Sequence, residues 1–180
     1  MIFTETKLTG VFLIELEKQE DERGYFARTW CAREFAAQGL NPRLAQCSIS
    51  FNHQSGTLRG MHFQIAPAAE DKLVRCTAGA ILDVIVDIRR SSASFGRWFG
   101  VELSAANRRQ LYIPQGFAHG FLTLAEQSEV FYQISVPFLP AAARGLNWND
   151  PAIGVDWPFA PAVVSSRDAA LPALADADLG

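Results

Sequence analysis

The sequence predicts an all-β protein built as a sandwich or barrel of antiparallel sheets. Its 180 residues are 49% hydrophobic and 19% charged, which provides enough apolar material for a sizeable core. Short strand-like segments recur at regular spacing through the middle of the chain, separated by turn sequences such as Ala78-Gly79-Ala80 and Pro114-Gln115-Gly116. This combination is typical of antiparallel sandwiches and barrels.

The N-terminal region, residues 1–55, is expected to contribute strands and one helix. The helix should run from Cys31 to Gln38, where Ala, Arg and Glu favour it, and should end at Gly39. Residues Gln19–Gly24 are interpreted as a charged turn. The strand-like segments of this region are 11–17, 25–30 and 44–54.

Residues 56–136 are predicted to form the core of the barrel, and residues 137–180 an irregular cover. Besides the segment Gly56–Gln64, the core should contain strands at 72–77, 81–89, 98–103, 110–113, 117–124 and 129–136. The cover is rich in Pro, Gly, Ala and Trp, and one or two short helices are expected after Val163, with Ser165 or Ser166 as the N-cap. The three regions are interpreted as one domain, residues 1–180.

The segment Gly56–Gln64 is the first candidate for a functional strand. Side chains alternate along a strand, so His62 and Gln64 should share one face. Arg59 would point to the other face unless Gly60 lies in a β-bulge, and we expect that bulge. Taken alone, the segment fits equally well a buried structural histidine beside a surface arginine.

The other predicted strands place more polar side chains on the face that should point into the barrel. If the alternation is regular, the inward set comprises His62, Gln64, Lys72, Asp83, His119 and Tyr132. Each ionisable group costs free energy to desolvate, so a packed core would not hold this many. The pattern therefore predicts a pocket for a small molecule.

Charge and cysteine usage exclude several classes of protein. The net charge is −3 with scattered Lys and Arg, so no nucleic-acid partner is expected. No apolar run is long enough for a membrane helix, and the first residues lack the pattern of a signal peptide. The three cysteines, Cys31, Cys47 and Cys76, have no CxxC spacing. We therefore expect a reduced, cytoplasmic protein without a membrane partner.

Metal and cofactor chemistry are poorly supported by the sequence. Pro114-x-Gly116-x-x-His119 resembles the second motif of the cupins, jelly-roll barrels that often bind a divalent ion. The first cupin motif would here supply only His62 and Gln64, which is too few good ligands for zinc or iron. A GxSxG motif and the common glycine-rich phosphate loops are missing as well. No metal and no cofactor are therefore expected.

Acid–base chemistry remains. His62 can accept a proton near neutral pH. Lys72 can stabilise a negative oxygen, and Tyr132 can supply a proton from another direction. Together these groups suit proton abstraction from a carbon next to a carbonyl.

Several motifs in order resemble the dTDP-4-dehydrorhamnose 3,5-epimerases of deoxysugar biosynthesis. The matching segments are Asp21–Gly24, Leu58–Gln64, Lys72–Cys76, Asp83–Arg89, Pro114–Phe121, Trp148–Pro151 and Arg167–Ala170. The resemblance implies a metal-free cupin jelly roll (a double-stranded β-helix) with short flanking helices, and a homodimer whose N-terminal strands reach into the partner. It also implies a nucleotide-linked 4-keto-6-deoxyhexose as substrate, inverted at C3, C5 or both.

The resemblance also implies roles for individual residues. His62 would be the base with Asp168 hydrogen-bonded behind it, although an aspartate at a helix start is also favoured by the helix dipole. Lys72 would stabilise the C4 enolate, and Tyr132 would be the acid on the opposite face of the sugar. The residues implied in substrate binding are Arg23, Phe26, Gln46, Arg59, Asp83, His119 and Phe138.

Two positions depart from the family's pattern. Ser48 stands where the family commonly has Asn, and Phe138 stands where it usually has Tyr. The second change leaves open which carbons are inverted and which nucleotide is preferred. Two alternatives therefore remain beside the 3,5-epimerase: a cupin that binds a sugar nucleotide without epimerising it, and a single-centre 3- or 5-epimerase that acts on a different nucleotide sugar.

Overall fold

A computed structural model describes all residues, Met1–Gly180, and consists mainly of strands. The strands are β1 (Ile2–Glu5), β2 (Phe12–Glu15), β3 (Gln19–Asp21), β4 (Gly24–Phe26), β5 (Gln46–Asn52), β6 (Thr57–Gln64), β7 (Lys72–Ala78), β8 (Ala80–Asp87), β9 (Trp98–Ser104), β10 (Gln110–Ile113), β11 (Phe117–Thr123), β12 (Ser128–Ile134), β13 (Ala143–Gly145) and β14 (Val163–Val164). Two short helices accompany them, α1 (Ala32–Ala37) and α2 (Ser166–Ala169), together with a 3-10 turn at Pro140–Ala142.

Two sheets face each other in a cupin-type jelly roll. The first sheet has the strand order β1-β2-β10-β7-β12-β5, and the second has the order β13-β6-β11-β8-β9 with β14 parallel to β6. All other pairs within these two sheets are antiparallel. The all-β prediction is therefore confirmed.

The main core lies between the two sheets. It combines Val74 and Leu111 from the first sheet with Ile85 and Phe121 from the second, all at most 1% exposed. These apolar side chains fill part of the space between the sheets. The polar inward-facing residues adjoin them, which places the site beside a rigid core.

The outer face of each sheet is partly covered by other segments. Helix α1 lays Phe35 on the first sheet, where it packs on Leu73 and Tyr112. The C-terminal segment covers the second sheet with Leu146 and Ile153. No helix of the protein is long and apolar enough to cross a membrane.

The helix prediction for Cys31–Gln38 is confirmed with closely matching ends. Cys31 is the N-cap, Gln38 is the C-cap, and Gly39 adopts a φ of +73°, which glycine tolerates at a helix end. Near the C-terminus, Ser165 is the N-cap of α2, and its side chain accepts a hydrogen bond from the Asp168 backbone N–H.

The interpretation of Gln19–Gly24 as a simple turn is wrong. Gln19–Asp21 pairs with Gly24–Phe26 in a β-hairpin. All six residues of the two strands are exposed, so no apolar alternation marks them as strands. Strand β14 was likewise missed, because its two residues, Val163 and Val164, are too few to show a period.

Candidate active site

A β-bulge in β6 positions the first functional residues. His62 pairs with His119 of β11, but the next paired residues are Arg59 and Phe121, so β6 has one extra residue between the two pairs. Gly60 lies at this point with a φ of +135°, and a Cβ there would come 2.5 Å from Gly120 Cα. The predicted bulge is confirmed. It brings Arg59 to the cavity that His62 also lines.

His62 is paired with a buried aspartate. Its Nε2 lies 2.7 Å from Asp168 Oδ1, and Asp168 Oδ2 accepts a hydrogen bond from the Gly60 backbone N–H at 3.2 Å. The Asp168 side chain is 7% exposed and the His62 ring 40% exposed. Because a carboxylate accepts, Nε2 carries the proton and Nδ1 is left with a free lone pair.

The surroundings of His62 favour its neutral form. Burial lowers the pKa of the imidazole below its usual value, and the positive charge of Lys72 acts in the same direction. The Asp168 carboxylate opposes this effect and raises the pKa, but burial prevails. A neutral ring with a free nitrogen is the state that a general base requires.

A second His–Asp pair lies next to the first. His119 Nε2 is 2.7 Å from Asp83 Oδ1, and both side chains are at most 4% exposed. The second carboxylate oxygen of Asp83 is buried and has no hydrogen-bond partner. Since His62 and His119 are register partners on neighbouring strands, the two imidazoles stand side by side on one sheet.

The opposite sheet supplies a lysine and a tyrosine. Lys72 begins β7, and Tyr132 lies on β12, beside Ser48 of β5. The Tyr132 ring packs edge-on against His119, with 6.0 Å between ring centroids. Burial raises the pKa of the Tyr132 phenol, and the negative charge of Asp83 adds to the effect, so the phenol keeps its proton.

These groups converge on one cavity of about 410 Å³ between the sheets. Its lining residues are Ser48, Ser50, Arg59, His62, Phe63, Gln64, Glu70, Lys72, His119, Phe121, Tyr132, Ile134, Phe138, Ala143, Arg144, Ser165, Arg167 and Asp168. The volume is in the range of pockets that bind small molecules.

Most of the residues predicted for the site meet at this cavity, and four do not line it directly. Asp83 lies behind His119, and Gln46 lies at the rim, where its Oε1 accepts a hydrogen bond from the Phe138 N–H at 2.9 Å. Arg23 and Phe26 lie outside, on the exposed hairpin, with the Arg23 guanidinium bound to Asp21. Within one chain, therefore, the hairpin residues do not contribute to the cavity.

Sequence reasoning missed several residues of the lining. Glu70 sits in a loop containing Pro and Ala, and Ser50 lies on β5, a strand for which the sequence prediction includes no inward face. Arg144 lies on β13 and Arg167 in α2, and both elements are too short to show a period from which the direction of a side chain could be predicted. The alternation rule finds residues only where a strand continues long enough to show it.

No group of three or more His, Cys, Asp or Glu side chains is arranged to hold a metal ion. The prediction that the protein uses no metal is not tested by that observation and stays a prediction. What the site offers chemically is a base, a cation and an acid around one cavity.

The fold places the protein in the class of cupin-type jelly rolls, and its cavity presents an imidazole, an ammonium and a phenol. The family model for dTDP-4-dehydrorhamnose 3,5-epimerase matches residues 5–176. The chain is 43% identical to the enzyme of that name from Salmonella typhimurium over 176 residues, which cover 97% of this chain and 96% of the relative. The chain belongs to the dTDP-4-dehydrorhamnose 3,5-epimerase family.

Solved structures agree with this assignment. The dTDP-4-dehydrorhamnose 3,5-epimerase from Elizabethkingia anophelis matches with a TM-score of 0.94 at 37% identity, covering 98% of this chain and 97% of its own. A dTDP-6-deoxy-D-glucose-3,5-epimerase from Legionella pneumophila, solved in complex with dTDP-4-keto-L-rhamnose, matches with a TM-score of 0.92 at 36% identity. That match covers 98% of this chain and 94% of the other.

Proposed function

We propose that the protein epimerises a dTDP-linked 4-keto-6-deoxyhexose by removing a proton next to the C4 carbonyl and returning one to the opposite face. The observation that carries this proposal is the placement of the two catalytic groups. His62 lies on β6 of one sheet and Tyr132 on β12 of the other, and both line the same cavity. A sugar ring bound between the sheets would have the base on one side and the acid on the other.

The first step is proton abstraction by His62. Its Nδ1 takes the proton from C3 or C5, and the electrons of the C–H bond move through the new C=C bond to the C4 oxygen. The enolate that forms is negatively charged, and the ammonium of Lys72 stabilises it. Asp168 stabilises the imidazolium that His62 has become.

The second step is reprotonation from the other face. Tyr132 donates its phenolic proton to the same carbon while the C4 carbonyl re-forms, so the configuration at that carbon is inverted. The phenolate regains a proton, and His62 loses one, before the next turnover. The raised pKa of Tyr132 supports this role, because the group enters the reaction in its protonated form.

Cations and hydroxyls around the cavity suit a sugar nucleotide. Arg59 and Arg167 line the cavity and are exposed, so both can reach the diphosphate. Ser50 Oγ is buried without a hydrogen-bond partner, and a sugar hydroxyl could satisfy it. The relatives named above as dTDP-sugar epimerases support dTDP as the nucleotide.

We further infer a homodimer in which each hairpin β3–β4 completes the partner's cavity. Phe26 is 70% exposed, and the Arg23 side chain is 83% exposed. Such exposure of an aromatic residue is unfavourable in an isolated chain. The outer face of the first sheet also carries exposed Ile49 beside Phe131, a surface suited to a second copy. A nucleotide base could then stack on the partner's hairpin.

Three free cysteines and a nucleotide-sugar substrate support a cytoplasmic location.

Phe138 supports a second candidate function, that of an epimerase that inverts a single centre. Its ring lines the cavity and cannot donate the hydrogen bond that a tyrosine would. Replacing Phe138 by Tyr should change the ratio of exchange at C3 to exchange at C5 if a hydroxyl there directs the reaction. An unchanged ratio would mean that this position does not set which carbon is inverted.

The test is solvent-proton exchange followed by NMR. The protein is incubated in deuterated water with dTDP-linked 4-keto-6-deoxyglucose, and the proton signals at C3 and C5 are followed. Loss of either signal, with the appearance of the inverted sugar, supports the proposal. Binding of the sugar nucleotide without exchange at either carbon would instead identify a cupin that binds this ligand without epimerising it.

A further inference from the structure

Glu70 is a carboxylate in the wall of the cavity that the mechanism above does not use. Its side chain is 9% exposed and lies between two cavity residues. Glu70 Oε1 is 2.9 Å from the Lys72 ammonium, and Oε2 accepts a hydrogen bond from Gln64 Nε2 at 2.9 Å. Both oxygens are therefore engaged, one with a cation and one with an amide.

The contact with Glu70 constrains the direction of the Lys72 ammonium. An ammonium has three N–H donors. One is directed to Glu70 Oε1, and a second to the His62 backbone carbonyl at 3.3 Å. Two of the three N–H donors are therefore bound by acceptors in the protein, which leaves one direction for the third. Because Lys72 lines the cavity, this third N–H is the one available to a bound molecule.

The contact with Gln64 extends the network to the segment that carries Phe138. Gln64 Nε2 donates to both the Ala68 carbonyl and Glu70, so the carboxamide oxygen is left to accept from the Leu139 N–H at 2.7 Å. Gln46 holds the preceding N–H, that of Phe138. Gln46 and Gln64, which lie on opposite sheets, thus accept hydrogen bonds from two consecutive backbone N–H groups. The contact with Glu70 fixes the orientation of the Gln64 carboxamide.

We propose that Glu70 is a positioning residue that directs one N–H of Lys72 toward the substrate's carbonyl oxygen. The inference rests on the proposed function, since it assigns Lys72 to the C4 oxygen. A glutamine at this position could present an oxygen to only one of its two partners, because its other terminal atom is a donor. Glu70→Gln therefore separates the two contacts without changing the size of the side chain.

The experiment compares Glu70→Gln with the native protein in the exchange and turnover assays. We expect kcat to fall roughly 10- to 100-fold because Lys72 is misdirected, with a much smaller change in KM. Glu126→Gln, an exposed turn residue, is the matched control and should leave both kcat and KM unchanged.

A double variant separates positioning from folding. In Lys72→Met/Glu70→Gln neither buried charge remains, so the protein should fold even if Glu70→Gln alone does not. Its kcat should equal that of Lys72→Met alone, because Glu70 acts through the ammonium. A native kcat in Glu70→Gln, a loss that falls on KM instead of kcat, or a further large loss of kcat on the Lys72→Met background, would overturn the proposal. Absence of exchange in the native protein would instead refute the epimerase function itself.

Discussion

His62 experiences opposing influences that can be separated by mutation. Burial lowers the pKa of the imidazole, while the hydrogen bond to Asp168 and its negative charge raise it. The ring is therefore neutral over a wider range of pH than a free histidine, whose pKa is about 6.5. The acid limb of kcat/KM should lie below that value, because activity is lost only when the base becomes protonated.

Asp168→Asn tests this balance. Removing the carboxylate removes the influence that raises the pKa of His62, so the acid limb should move to still lower pH. The plateau activity should also fall, although less than in His62→Ala, because the imidazolium loses its partner while the ring remains in place. The pH profile of kcat/KM measures both effects. An acid limb that moves to higher pH would show that Asp168 does not act on His62 in this way.

At the scale of elements, the sequence predicts strands well where they are long and buried on one face. The strands expected from residue 72 to residue 136 are all present, and so is the helix ending at Gly39, because alternation and glycine conformation are local properties. Asp168 is different: it lies 106 positions from His62, so only the family resemblance could connect the two. Glu70 was missed because it precedes β7 in a loop without any period.

The bulge in β6 yields a stability prediction. Gly60→Ala should strongly lower the melting temperature, because the new Cβ would overlap the Gly120 backbone in addition to the strained φ. A cost of at least about 2 kcal/mol is expected, or roughly 4–8 °C for a protein of this size. Gly39→Ala is the matched control, since it has a positive φ but nothing within 4 Å of its Cβ. Equal melting temperatures in the two variants would contradict the close approach of β6 and β11.

At the scale of the whole molecule, one chain forms a cavity but leaves the hairpin without a partner. Arg23 and Phe26 lie outside the cavity of their own chain, and exposed apolar residues remain on the first sheet. An assembly of two chains would cover both features at once. The site would then depend on the dimer, and activity should fall when the chains separate.

Light scattering tests the assembly. A species of about 40 kDa is expected at micromolar concentration, twice the 19.8 kDa of one chain. Ile49→Asp should shift it toward the monomer, because Ile49 is 62% exposed on the outer sheet face. Phe95→Asp, at an exposed aromatic between β8 and β9, should remain a dimer. A native protein that scatters as a 20 kDa monomer would rule out the proposed dimer.

The assignment of base and acid to opposite sheets is tested most directly by comparing two variants in deuterated water. His62→Ala should lose exchange at C3 and C5 together with turnover, by the ~10²–10⁴-fold that a general base typically contributes. Tyr132→Phe should lose inversion but retain exchange, because His62 can still remove a proton and return a deuteron to the same face. Both variants are first matched to the native protein by thermal melting. Wild-type exchange in His62→Ala, together with complete loss of exchange in Tyr132→Phe, would show that the two roles are reversed.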